Sequence, residues 1–327
     1  MISTKLRSRK SGSTNFFQDI SKACSKELLD MGVTADVFLI PGGVGIRFNT
    51  QRLPFSLSNL RHLPIKEFDF TRLLEFPISE IHEFELSGLT LPDFCEVPFA
   101  SLKGLKLKKL SANGSQATDF KNLKFLEIED LDLSRTKIED LSFLSSMPLN
   151  RLNLASTCVS DLRPLPEKNL EWLNLGNSKV HDLSPIHDSP LKELNINSTK
   201  ISSVQALKET SLEKLKMRAT LVNDLTPLME LPLQSLHLPG SPIESIQPLS
   251  YCPITELNII GLPLKSINPL LDMQLERLMI SPLGLNEHDF NLLKDLKLNH
   301  LCGPGDPIDQ DTDTFFAKYI SLIKSND

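Results

Sequence analysis

Apolar residues recur along this chain in a fixed three-beat group, and the group returns every 21 residues. Its first beat falls on Leu149, Leu170, Leu191, Leu212, Leu233, Ile254 and Leu275. The second falls three residues later, on Leu152, Leu173, Leu194, Leu215, Leu236, Leu257 and Leu278, and the third on Leu154, Leu175, Ile196, Met217, Leu238, Ile259 and Ile280. Within each group, side chains alternate inward and outward, so the group predicts a short strand with one apolar face. A single such strand cannot bury its own apolar side, and only the stacking of successive copies makes it stable.

The rest of each repeat is equally regular. A Thr or Ser follows the strand at Thr136, Thr157, Ser178, Thr199, Thr220 and Ser241, where a hydroxyl can satisfy the backbone of neighbouring turns. An inward branched residue comes next (Ile138, Val159, Val180, Ile201, Val222, Ile243, Leu264), then a D-L-S-P-L run, clearest over 182–186 and 224–228. Ser184, Thr226 and Asn268 occupy the expected N-cap, with Pro185, Pro227 and Pro269 at the first helical position. So short a stretch predicts a single 3₁₀ turn. Pro148, Pro190, Pro232 and Pro253 stop it before the next strand.

The L-x-x-L-x-L phase is that of a leucine-rich-repeat solenoid: an α/β repeat with a parallel β-sheet on the concave face and short 3₁₀ turns on the convex face. The pattern resembles the internalin-like class of bacterial leucine-rich repeats. It is closer still to the T-x-V-x-D-L-S-P-L-x-x-x-P-L arrays that often follow bacterial serine/threonine kinase domains. The resemblance covers about residues 107–300 and implies a fold, while such arrays serve many functions.

Stepping backward by the same interval reaches Ile128, Leu131 and Leu133, then Leu107, Leu110 and Ala112, Leu86, Leu89 and Leu91, and finally Ile65, Phe68 and Phe70. Before residue 107 a second register competes, built on Ile81, Phe84 and Leu86 and on Leu102, Leu105 and Leu107. At the far end Leu293, Leu296 and Leu298 arrive early, which predicts a last repeat that is shortened or remodelled. The expected organisation is a disordered basic terminus (1–13), an N-terminal cap of helix plus hairpin (14–64), the solenoid (65–301) and a C-terminal cap helix (302–327). Phe16, Phe17, Ile20, Cys24, Leu28 and Leu29 form the apolar face of the first cap helix, and Phe315, Phe316, Tyr319, Ile320 and Ile323 that of the last. Two caps are what the open ends of a solenoid need.

Charge and cysteine content narrow the function. A net charge of −6 gives no basic field for nucleic acid, and no apolar run is long enough to span a membrane. No apolar segment follows the basic residues near the start, which argues against a secretory signal. The five cysteines show no C-x-x-C spacing. Cys95 and Cys158 share a repeat position, but three repeats at about 4.8 Å separate them by roughly 14 Å, beyond disulfide reach. Reduced thiols and a cytoplasmic location follow.

Candidate chemistry is sparse. The phosphate-loop, nucleophile-elbow, zinc-protease and kinase motifs are missing, so the chain reads as non-catalytic and free of cofactors. His181, Asp182 and Ser184 match a hydrolase triad in type, but Asp182 and Ser184 recur as Asp224 and Thr226 and are explained by turn capping. Asp306, Asp309, Asp311 and Asp313 fail the calcium-loop pattern and suit the start of a helix better. The outward strand positions remain: Asn153, Asn174, Asn195, Lys216, His237 and Asn258 in one row, and Arg151, Trp172, Glu193, Lys214, Ser235 and Glu256 beside it. Trp172 is the only tryptophan, and an outward Trp among charges has the composition of a binding hot spot. The expected function is protein–protein interaction, binding a protein or peptide on the concave face through Arg151, Trp172, Asn174, Glu193, Asn195, Lys214, Lys216 and His237. Alternatives are a regulatory or sensing arm of a kinase-linked signalling system and a surface adhesion protein.

Overall fold

Each strand of the regular repeats is centred on the second beat of the three-beat group. The computed structural model describes residues 14–166 and 169–323, and its contacts divide the chain into two compact units, Met1–Asn153 and Leu154–Asp327.

The first unit opens with helix α1 (Thr14–Asp30) and an antiparallel pair, β1 (Ala35–Ile40) and β2 (Gly43–Phe48). Parallel strands β3 (Ile65–Asp69), β4 (Gly88–Thr90), β5 (Lys109–Ser111), β6 (Asp130–Asp132) and β7 (Arg151–Asn153) follow in chain order. A one-turn helix, α2 (Ile78–Ile81), lies between β3 and β4. Pairing of Phe68 with Leu89 and of Leu89 with Leu110 settles the early register in favour of the backward step of 21. Residues of the competing register, among them Ile81 and Leu102, are buried outside the strands, in the turns between them. Of the α1 face, Ile20, Cys24 and Leu28 are buried, whereas Leu29 is 64% exposed. Leu29 therefore lies off the apolar stripe, because consecutive helical residues diverge by about 100°. The side chains of Phe16, Phe17 and Ile323, and all of residues 1–13, lie outside the described residues.

The second unit carries seven parallel strands: β8 (Trp172–Asn174), β9 (Glu193–Asn195), β10 (Lys214–Lys216), β11 (Ser235–His237), β12 (Glu256–Asn258), β13 (Arg277–Met279) and β14 (His300–Cys302). Their inward leucines and isoleucines are buried, and short 3₁₀ turns connect them, as at Ser184–Ile186 and Thr226–Leu228. The last repeat is remodelled, and lengthened instead of shortened. A full helix, α3 (Glu287–Asp295), is inserted, and the final strand is centred on Leu301, which pairs with Leu278. Leu293 belongs to that helix, so the strand triad is Leu298, Leu301 and Gly303. A Cβ at Gly303 would stand 2.5 Å from the Tyr319 hydroxyl of the closing helix α4 (Thr312–Ile323). That helix buries Phe315, but Ile320 is 44% exposed and turns away from the core.

Two further rows hold the turns. The expected N-cap residues do not cap: Ser184, Thr226 and Asn268 are the first residues of their 3₁₀ turns, with proline second, and none makes a side-chain cap bond. The acceptor sits two residues earlier, where Asp140, Asp161, Asp182, Ser203, Asp224, Ser245 and Ser266 each take the backbone N–H of the residue two ahead. This is the Asx- or ST-turn geometry that short polar side chains favour. The buried hydroxyls mostly donate within their own repeat. Thr136, Thr157, Thr199 and Thr220 bond the carbonyls of Leu133, Leu154, Ile196 and Met217. Ser241 instead reaches back one repeat to the Met217 carbonyl at 2.8 Å.

Candidate outward-face binding site

The strand register sets two parallel rows on the outward face of the second unit. One runs Trp172, Glu193, Lys214, Ser235, Glu256, Arg277, and the other Asn174, Asn195, Lys216, His237, Asn258, Met279. Seven of the eight expected contact residues thus share one sheet face. Arg151 belongs to the first unit, where its Nε lies 3.9 Å from Asp130.

The first row neutralises itself. Lys214 pairs with Glu193 at 2.8 Å. Glu256 accepts a bond from Ser235 at 3.2 Å and faces Arg277 and His237 at 3.7 and 3.4 Å. Burial pulls the His237 pKa down, the Glu256 carboxylate raises it and Lys216 lowers it, with a net shift below the ordinary histidine value. His237 is therefore an uncharged ring at neutral pH. Trp172 is half-buried.

The asparagine row does structural work. The Oδ1 atoms of Asn174, Asn195 and Asn258 accept the backbone N–H of Gly176, Asn197 and Ile260, which turns the chain at the end of each strand. Just beyond, one residue per repeat enters the left-handed region: Gly114, Arg135, Ser156, Asn177, Ser198, Ala219, Gly240 and Gly261. Asn174 and Asn195 are thus part of the scaffold as well as of the surface.

A third outward row was missed in the sequence: Gly176, Asn197, Arg218, Pro239 and Ile260, two residues past the asparagine row. Its signal was available, because the in-and-out alternation continues one step after the third leucine. With Lys216 and His237, the row from Asn197 to Ile260 borders a cleft of about 710 Å³, roofed by Pro304 and Gly305. Among the described residues no carboxylate lines it. Among the described residues, neither Lys216 nor Arg218 makes an ion pair.

The roof is fastened by Asp306, whose side chain is 1% exposed. Its carboxylate accepts bonds from the Gly303 N–H (2.7 Å), the Gln310 amide (3.0 Å) and the Tyr319 hydroxyl (3.1 Å), and it pairs with Lys318.

On the first unit's outward face, opposite charges are matched within the sheet. Arg47 meets Asp69 at 2.7 Å and Lys109 meets Glu67 at 3.0 Å. Gly88 leaves room for Glu67, since a Cβ there would stand 2.8 Å from Oε2.

Solved structures share this fold. An internalin, InlF of Listeria monocytogenes, superposes with a TM-score of 0.53 at 21% identity, over 69% of this chain and 83% of that one. The chain has the internalin-like leucine-rich-repeat fold. Internalin C2 of the same organism superposes at TM-score 0.50 and 24% identity, covering 57% of this chain and 84% of its own. A leucine-rich-repeat protein of Leptospira interrogans gives 0.48 at 22% identity, over 79% of this chain and 71% of its own. No protein-family model and no curated protein matches the sequence. Among the described residues, no helix of this leucine-rich-repeat chain is long and apolar enough to cross a membrane.

Proposed function

We propose that this leucine-rich-repeat protein is a non-catalytic interaction module that binds a protein or peptide on the outward face of its second unit. The carrying observation is that Trp172, Glu193, Lys214, Lys216 and His237 stand on adjacent strands of one accessible sheet face. A half-buried aromatic anchor ringed by charges is the usual make-up of an interface hot spot. The helix–hairpin segment over 14–64 and the closing segment over 302–327 serve as caps in this reading. A reducing, cytoplasmic setting is supported by the thiols, all five of which are free. Cys252 and Cys302 donate to the carbonyls of Leu228 and Pro307, both at 3.1 Å, a role an oxidised sulfur cannot fill.

The test is affinity capture from source-cell extract with wild type beside Trp172→Ala/Lys214→Glu. A partner retained by wild type and lost by the double variant, with unchanged melting behaviour, supports the reading. Equal retention by both proteins would move the interface off this face.

A further inference from the structure

Several cations on the second unit are matched by neighbouring carboxylates: Lys192 by Glu171, Lys214 by Glu193, Lys265 by Glu244 and Arg277 by Glu256. Lys216 and Arg218 are not, and unlike the other cations without an ion pair among the described residues, both border the cleft under Pro304 and Gly305. Two exposed cations side by side in a chain of net charge −6 are not a by-product of general basicity. Among the described residues no carboxylate lines the space, so an anion seated there would relieve their mutual repulsion.

The remaining walls are apolar or uncharged, from Ala219, Pro239, Ile260 and Pro304. Such walls suit the backbone and methylenes of an extended peptide, and a volume of about 710 Å³ admits more than one residue. The roof is held by the buried Asp306 network, so little ordering is needed on binding.

We propose that this cleft seats an extended acidic segment of a partner protein, with Lys216 Nζ and the Arg218 guanidinium pairing its aspartate or glutamate side chains. The inference rests on the reading that the outward face binds a polypeptide, and it adds the charge of the segment and the place where it docks.

The probe is a fluorescein-labelled octapeptide of alternating glutamate and glycine, followed by anisotropy at low salt with the full chain. Its controls are the same peptide with glutamine for glutamate and a labelled oligothymidylate of similar length. Wild type should bind the glutamate peptide at least about tenfold more tightly than the glutamine peptide. Lys216→Gln/Arg218→Gln should lose that difference. Lys208→Gln/Lys265→Gln, which removes the same charge at exposed sites away from the cleft, should keep it. Both variants change exposed side chains, and matching melting curves confirm that they fold.

Equal losses in the two double variants would overturn the proposal, because the attraction would then be unspecific. Failure of wild type to prefer glutamate would also overturn it, and tighter binding of the oligonucleotide would reassign the cleft to nucleic acid. Loss of a captured partner with Trp172→Ala/Lys214→Glu stays interpretable even when the peptide assay fails, so the two readings fall separately.

Discussion

The hydroxyl of Tyr319 donates a 3.1 Å hydrogen bond to the buried carboxylate of Asp306 and so ties the closing helix to the loop that roofs the cleft. Removing the carboxylate leaves the Gly303 N–H and the Tyr319 hydroxyl without their acceptor. Asp306→Ala should therefore cost about 2 kcal/mol in chemical unfolding, and Tyr319→Phe less than half as much. If Asp306→Ala melts with wild type, the roof is held by other contacts.

Acid should loosen the turns before neutral pH does. Hydrogen bonding leads the downward pKa shift of four repeat carboxylates: from the backbone N–H groups of Ser142 to Asp140 and of Ser184 to Asp182, and from the side chains of Arg163 to Asp161 and of Thr226 to Asp224. Asp161 is pulled down to about 2. A folded pKa below the unfolded value of about 3.9 contributes stability above that pH, lost as the pH falls through the folded pKa. Melting temperature should therefore drop between about pH 4 and pH 2, and Asp161→Asn/Asp224→Asn should flatten the drop. Parallel wild-type and variant curves would place the acid-labile groups elsewhere.

Thr220 and Ser241 share the Met217 carbonyl and lie 3.2 Å from each other. Thr220→Val keeps the shape and removes the buried hydroxyl, at an expected cost of about 1 kcal/mol. Ser241→Ala should cost a similar amount, and the double variant less than the sum, because the two hydroxyls are coupled. Strict additivity in urea unfolding would show that they act independently.

Ala219 occupies the left-handed position of its repeat at φ 52°, where Gly240 and Gly261 stand in the next two. A Cβ in that region costs about 1–2 kcal/mol, part of which glycine gives back through its freer unfolded chain. Ala219→Gly should raise stability by roughly 0.5–1 kcal/mol. A lower melting temperature would mean that the Ala219 methyl contributes packing that outweighs the strain.

Thiol reactivity should divide by burial. Burial, with help from the Glu27 charge, pushes the Cys24 thiol up to about 11, and burial also raises Cys252 and Cys302. Brief alkylation of the native protein at mildly alkaline pH should label Cys95 and Cys158, which are partly exposed, and spare the other three until denaturant is added. Early labelling of Cys302 in intact-mass spectra would mean that the closing segment opens readily.

The strands of the regular repeats and their inward residues were legible in the sequence, because a period of 21 with strict alternation leaves one strand register that buries every leucine. Seven of the proposed contact positions were legible for the same reason: alternation alone sends Trp172 and Lys216 outward. Tertiary packing decided what the period does not encode. Before residue 107 two apolar registers were equally dense, and pairing of Leu89 with Leu110 chose between them. The early leucine Leu293 turned out helical, since the Asn286 capping box starts a helix there and the last strand had to wait for Leu301. The source of the turn-capping oxygens depended on backbone geometry, and Asp and Ser two residues upstream reach the N–H that Ser184 and Thr226 cannot. The cleft has the same origin. Its floor is periodic and could be read from the repeats, but its roof comes from Pro304 and Gly305, well beyond the Gly261 edge in sequence, and only folding brings Pro304 over Lys216 and Arg218.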